Sequence, residues 1–139
     1  ALSARALGFQ SIRGFDHDPD AIKVCHDLLK YNLTLNQIEF SVDDLISGLP
    51  ENSIDFLMAN IQTNILVPFA EPIIESLHAS AQLILSGILT KEIEPLKLHY
   101  LEKLKQSHPN AKILTDSREK GEWSDLKIEI IACESEKTI

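Results

Sequence analysis

Ile54-Asp55-Phe56-Leu57-Met58-Ala59-Asn60 is the stretch on which the fold reading turns. Apart from Asp55 it is apolar without alternation until it stops on an amide, which is how a strand covered on both faces by helices reads. Gln82-Leu83-Ile84-Leu85-Ser86-Gly87 is a second run of that kind. The residues between, 66–78, have a helical pattern despite Pro68 and Pro72. Both prolines are placed in or near the first turns, where a missing N–H costs little, with a kink at Pro72 as the other option.

Working outward, the same alternation recurs upstream. Residues 11–15 read as a short strand that stops at Asp16-His17-Asp18-Pro19. Asp18 supplies an N-cap oxygen and Pro19 a preset φ, so a helix begins at Pro19 and runs to Tyr31 or Asn32. Ala21, Val24, Cys25 and Leu28 form its expected apolar face, and Asn32 and Asn36 tolerate the left-handed exit. A strand over residues 38–42 and a turn at Asp43-Asp44 follow. Leu2 to Gly8 reads as the last turns of a helix closed by glycine. Downstream, Pro95 is expected to start a helix striped by Leu98, Leu101 and Leu104. Residues 111–115 and 126–130 are strand-like with no helix between them, and so read as an antiparallel pair. The expectation is an α/β fold: an open, mostly parallel sheet with one antiparallel strand near the C-terminus.

Composition narrows the function classes. The 139 residues suffice for one ordinary core, so the whole chain, 1–139, is read as one domain or a piece of one. With 21 acidic against 13 basic residues the net charge is −8, which opposes phosphate-backbone contact, so no direct nucleic-acid partner is expected. The apolar run from Leu83 to Leu89 is broken by Ser86 and Gly87 and is too short for a membrane span, so no membrane partner is expected either. Cys25 and Cys133 have no partner spacing, which suggests buried free thiols in a reducing, cytoplasmic compartment. The five histidines form no ligand cluster, and no metal site is assigned.

In such sheets ligands bind beyond the carboxyl ends of the strands. Asp16 ends the first strand, where a carboxylate can accept from a ribose diol or simply belong to the Asp-His-Asp-Pro turn. Asp43 and Asp44 follow the next strand and can accept from a purine amine or cap a helix. Asn60 stands before the polar stretch Ile61-Gln62-Thr63-Asn64. A neutral amide there can aim an amine lone pair in line with an electrophilic carbon, as methyl transfer to nitrogen needs, or can satisfy loop backbone groups.

Phe15-Asp16-His17-Asp18-Pro19 resembles the end of strand two in class I S-adenosylmethionine-dependent methyltransferases. Met58-Ala59-Asn60-Ile61-Gln62-Thr63-Asn64-Ile65-Leu66, Leu83-Ile84-Leu85-Ser86-Gly87-Ile88-Leu89 and Glu119-Lys120-Gly121-Glu122-Trp123 are similar, in order, to segments of the ribosomal protein L-eleven methyltransferase family. The resemblance covers nearly the whole chain. It implies a Rossmann-like class I methyltransferase domain using S-adenosylmethionine. Asp16, His17, Asp43, Asp44 and Asn60 would contact the cofactor, Asn60 would act as the catalytic residue, and Ile61, Gln62 and Thr63 would line the substrate. The implied reaction methylates lysine ε-amino or N-terminal α-amino groups of a ribosomal protein in the cytoplasm.

Three departures accompany the resemblance. Gln62 and Thr63 replace the family's usual Leu and Ala, which bears on substrate identity. Ser124-Asp125-Leu126-Lys127 is more polar than the family's entry into its last strand. The family's first strand and Gly-rich cofactor loop have no counterpart from Ala1 onward. The chain by itself is therefore expected neither to bind cofactor well nor to fold as a monomer, and would be an oligomer if the truncation is real. The alternatives are a methyltransferase of the same fold acting on another protein or a small amine, a non-catalytic interaction module, and a plain dehydrogenase, in which the Asn60 segment has no role.

Overall fold

The computed structural model describes residues 1–32, 34 and 37–133; Asn36, expected at a helix exit, lies outside them. Two compact units form, Ala1–Gly48 and Leu49–Ile139.

In the first unit, α1 (Leu2–Ala6) is followed by β1 (Ile12–Asp16), α2 (Pro19–Lys30) and β2 (Ile38–Val42). Gly8, just past α1, has a φ of +94°. β1 and β2 pair in parallel from Ile12 opposite Ile38 to Asp16 opposite Val42. α2 starts as its sequence dictates: the Asp20 amide donates to Asp18 Oδ1 at 2.9 Å, and Pro19 occupies the first turn. Its buried face is rotated from the expected one. Ile22 is buried and Cys25 and Leu29 are half-buried, whereas Val24 and Leu28 are exposed. Both stripes are apolar at helical spacing, so periodicity alone could not choose between them.

The second unit holds β3 (Ile54–Asn60), α3 (Thr63–Leu66), α4 (Ala70–Glu75), β4 (Leu77–Leu89), α5 (Ile93–Ser107), β5 (Lys112–Lys120) and β6 (Trp123–Ile131). The sheet order is β3-β4-β6-β5. β3 and β4 are parallel, while β6 runs antiparallel to both β4 and β5, so β6 alone is reversed. This is the mixed α/β sheet the sequence called for.

Three elements differ from expectation. Pro68 separates two short helices and Pro72 sits in the first turn of the second, so the helix expected over 66–78 is split, and Leu77 and His78 already belong to β4. α5 begins at Ile93, two residues before Pro95, and buries Ile93, Leu96, Tyr100 and Leu104 while Leu98 is exposed. β3 is covered on one face only among the described residues: Leu57 and Ala59 are buried, but Met58 is 64% exposed.

Leu83, Leu85 and Ile88 of β4 and Leu126, Ile128 and Ile130 of β6 form the core with Leu66, Ile73, Ile74, Leu96 and Leu104 from the helices. Each such side chain contributes about 1.5–3 kcal/mol relative to exposure. The buried Tyr100 hydroxyl donates to the Leu66 carbonyl oxygen at 2.9 Å, tying α5 to the end of α3. Burial pushes its phenol well above the ordinary range. This packing fixes the loop between β3 and α3, where the polar stretch after Asn60 lies.

Candidate functional site

Asp16, Asp43 and Asp44 of the first unit stand where β1 and β2 end. The Asp43 amide donates to the Asp16 carbonyl oxygen at 3.0 Å, which extends the parallel pairing by one residue and brings the two strand exits side by side. Asp16 Oδ1 accepts from the Asp18 amide at 3.0 Å and lies 3.2 Å from His17 Nδ1. No hydrogen bond engages Asp16 Oδ2 among the described residues. His17 is itself almost fully exposed.

Asp43 and Asp44 divide their work. Asp43 Oδ2 pairs with Arg13 Nη2 at 2.9 Å, and Oδ1 accepts from the Ser47 hydroxyl and, at 3.3 Å, from the Asp44 amide. Both oxygens of Asp43 are thus engaged in holding the loop to β1. Asp44 Oδ1 accepts from the amides of Ile46 and Ser47 at 2.8 and 2.9 Å and from the Ser47 hydroxyl at 3.0 Å. Among the described residues this leaves Asp44 Oδ2 open. The turn is a single one, closed by the Gly48 amide on the Asp44 carbonyl oxygen at 2.8 Å, and no helix follows.

The Ser47 and Ile46 amides stabilise the ionised carboxylate and hold Asp44 below its ordinary value of 3.8. A depressed carboxyl contributes order that is complete above the ordinary value and lost as pH falls through the depressed one. The Ile46 and Ser47 amide resonances should therefore titrate with a midpoint below pH 3.8. A midpoint at or above that value in an NMR titration would remove this account of the turn.

In the second unit, Asn60 ends β3 opposite Ser86 of β4. The Ser86 hydroxyl donates to Asn60 Oδ1 at 3.2 Å. Beyond it the β4–β6 register slips: Leu85 faces Leu126 and Ile88 faces Ser124, so Ser86 and Gly87 together oppose Asp125. This is a β-bulge, and Gly87 within it has a φ of +78°, where glycine alone is at ease. A Cβ on Gly87 would stand 2.9 Å from Asn60 Oδ1 and 3.3 Å from the Ile61 carbonyl oxygen. The missing side chain is what leaves Asn60 room.

Around this bulge lies a cleft of about 460 Å³ lined by Asn60, Ile61, Gln62, Ser86, Gly87, Trp123 and Asp125. Gln62 caps α3 with its backbone while its side chain makes no capping bond. Thr63 Oγ1 is buried and has no hydrogen-bond partner among the described residues. The cleft therefore offers the Gln62 side-chain amide, the Asn60 amide whose oxygen already accepts from Ser86, and one carboxylate. Trp123, 55% exposed, gives it an aromatic wall. Among the described residues no cluster of three or more His, Cys, Asp or Glu could hold a metal ion.

The structure thus groups Asp16, His17, Asp43 and Asp44 in one unit, and Asn60, Ile61 and Gln62 around the cleft in the other, with Thr63 following in the same chain segment. Sequence reasoning missed Ser86, Gly87, Trp123 and Asp125 as site residues. A signal existed for two of them: the strict alternation of residues 126–130, carried back to the start of the same strand, puts Trp123 and Asp125 on the face opposite the core.

A sequence profile of the family described as "Ribosomal protein L11 methyltransferase (PrmA)" matches residues 1–129. The chain is 28% identical over 127 residues to a protein of that name from Streptococcus equi subsp. zooepidemicus, an alignment covering 91% of this chain and 37% of the relative. The chain thus spans little more than a third of that relative's length. Its fold is similar to the crystal structure of a ribosomal protein L11 methylase from Lactobacillus delbrueckii subsp. bulgaricus, with a TM-score of 0.77, 20% identity, and coverage of 94% of this chain and 63% of that one. A P. horikoshii TYW2 structure in complex with MeSAdo follows with a TM-score of 0.71 at 11% identity, covering 95% of this chain and 52% of that one.

Proposed function

Because the chain belongs to the ribosomal protein L11 methyltransferase family, we propose that the protein transfers methyl groups from S-adenosylmethionine to amino groups of a protein. Lysine ε-amino and N-terminal α-amino groups of a ribosomal protein are the acceptors, and the cytoplasm is the place of action. Both units belong to one cofactor-binding domain; the unbroken profile match across residues 1–129 supports this.

The observation that carries the reading is the Asn60 amide, held by Ser86 above the side-chain gap at Gly87 and open to a cleft. Its oxygen accepts a hydrogen bond from an amine N–H without protonating the amine, so the lone pair stays free and directed. Gln62, Ile61 and Thr63 line the path of the incoming side chain. Asp16 Oδ2 and Asp44 Oδ2 are acceptors at the strand exits, suited to the hydroxyls and exocyclic amine of an adenosine. His17 flanks Asp16, and Asp43 positions the Asp44 loop through Arg13. When bound, the cofactor supplies an electrophilic methyl on a sulfonium centre.

Calorimetric titration of S-adenosylhomocysteine into the full-length protein tests this. We expect micromolar binding, weakened by about tenfold or more in Asp16→Ala, the loss typical of a hydrogen bond to a charged group. Absence of binding to a folded sample overturns the proposal.

A further inference from the structure

We propose that Asp125 is the docking carboxylate for a cationic primary amine, the protonated side chain of a substrate lysine. This rests on the methyl-transfer reading of the Asn60 cleft and names what that reading lacks. A lysine ε-amine near neutral pH is an ammonium ion, and a neutral amide can orient it but cannot compensate its charge.

Asn60, Ser86 with Gly87, and Asp125 lie at one level on three adjacent strands, β3, β4 and β6. Asn60 and Asp125 share a sheet face, since each alternates with neighbours buried in the core, Ala59 on one side and Ser124 and Leu126 on the other. Two strand spacings put their backbones about 10 Å apart. Two short side chains reaching toward each other then leave space for one nitrogen in hydrogen-bond range of both. Gly87 contributes nothing to fill that space, and the Trp123 ring beside it suits a cation.

Asp125 makes no hydrogen bond or ion pair among the described residues. The cations flanking it on β5 and β6 are Arg118, Lys120 and Lys127, and two of them pair elsewhere. Arg118, its register partner on β5, reaches Asp116 at 3.9 Å, and Lys127 on its own strand reaches Glu129 at 3.4 Å. From β4, uncharged Ser86 and Gly87 face it, and among the described residues it is the one titratable side chain lining the cleft. A carboxylate that is exposed, uncompensated and set beside an amide acceptor and an indole is arranged to receive a positive charge.

The test is Asp125→Asn in the full-length protein, with a blocked peptide carrying one lysine as substrate. KM for the peptide should rise about tenfold with kcat at saturation largely kept. The docked ammonium must release one proton to solvent before its lone pair can attack, so the alkaline-rising limb of kcat should also move to lower pH once the carboxylate no longer favours the charged form. A purely structural role would not produce that shift. S-adenosylhomocysteine affinity should equal that of the parent, which shows the variant folded. An unchanged KM and pH profile in an active enzyme overturns the role of Asp125 alone. A parent that binds no S-adenosylhomocysteine and methylates no peptide brings down the methyl-transfer reading as well.

Discussion

Asn60→Ala is expected to lower kcat for amine methylation by about 100-fold, the scale of loss when a reacting group is held about 1 Å out of place. The effect should not come through stability. Asn60 is exposed, and the one side-chain hydrogen bond it makes among the described residues, from Ser86 at 3.2 Å, is worth roughly 1 kcal/mol or less at the surface. Thermal melts of parent and variant should lie within a few degrees of each other while single-turnover rates separate. Equal rates would show that the amine finds its orientation without this amide. Restoring the amide one methylene further out, as Asn60→Gln, should recover little, because Gly87 and Ile61 leave a gap fitted to the shorter side chain.

Gly87→Ala should be comparably damaging for a different reason. A φ of +78° costs an alanine about 1–2 kcal/mol by itself, and the new methyl would lie 2.9 Å from Asn60 Oδ1, closer than real contacts allow. The amide must turn aside, so the variant should lose both stability and kcat. The two sites should also couple. In an Asn60→Ala background the oxygen is gone, so the same Gly87→Ala change should cost measurably less stability than in the parent. Strictly additive losses, measured by urea unfolding of the four proteins, would contradict a direct clash between these residues.

Much of this was legible in the sequence because local chemistry and tertiary structure agree there. Asp18-Pro19 specifies a helix start whatever surrounds it, and α2 begins at Pro19. The largely apolar run ending at Asn60 reads as a strand and places that amide at a strand exit, as β3 does, although its expected cover on both faces is found on one. The reading failed where several apolar stripes competed. α2 carries Val24 and Leu28 as well as Ile22, and α5 carries Leu98 as well as Leu96, so the buried face depends on which partner each helix meets.

The site was half legible for a related reason. Asp16 and Asp44 follow strands directly, and their position marks them. Asp125 becomes a neighbour of Asn60 only through the order β3-β4-β6 and a register slip, neither of which leaves a trace in its own sequence neighbourhood. Asp43 shows the converse: its sequence position resembles that of Asp44, but Arg13 and Ser47 occupy its oxygens.

The bulge at Ser86 and Gly87 also resets the phase of β4. Before it the inward residues are odd-numbered, Ala81, Leu83 and Leu85; after it the inward residue is Ile88. Deleting Gly87 would leave one residue between Leu85 and Ile88, and plain alternation would then keep Ile88 inward opposite Ser124. The extra residue is therefore neutral for the buried face. What it changes is the other face, where it sets a position without a side chain beside Asn60. The core accepts the shorter count between Leu85 and Ile88, and it is the cleft that calls for the longer one.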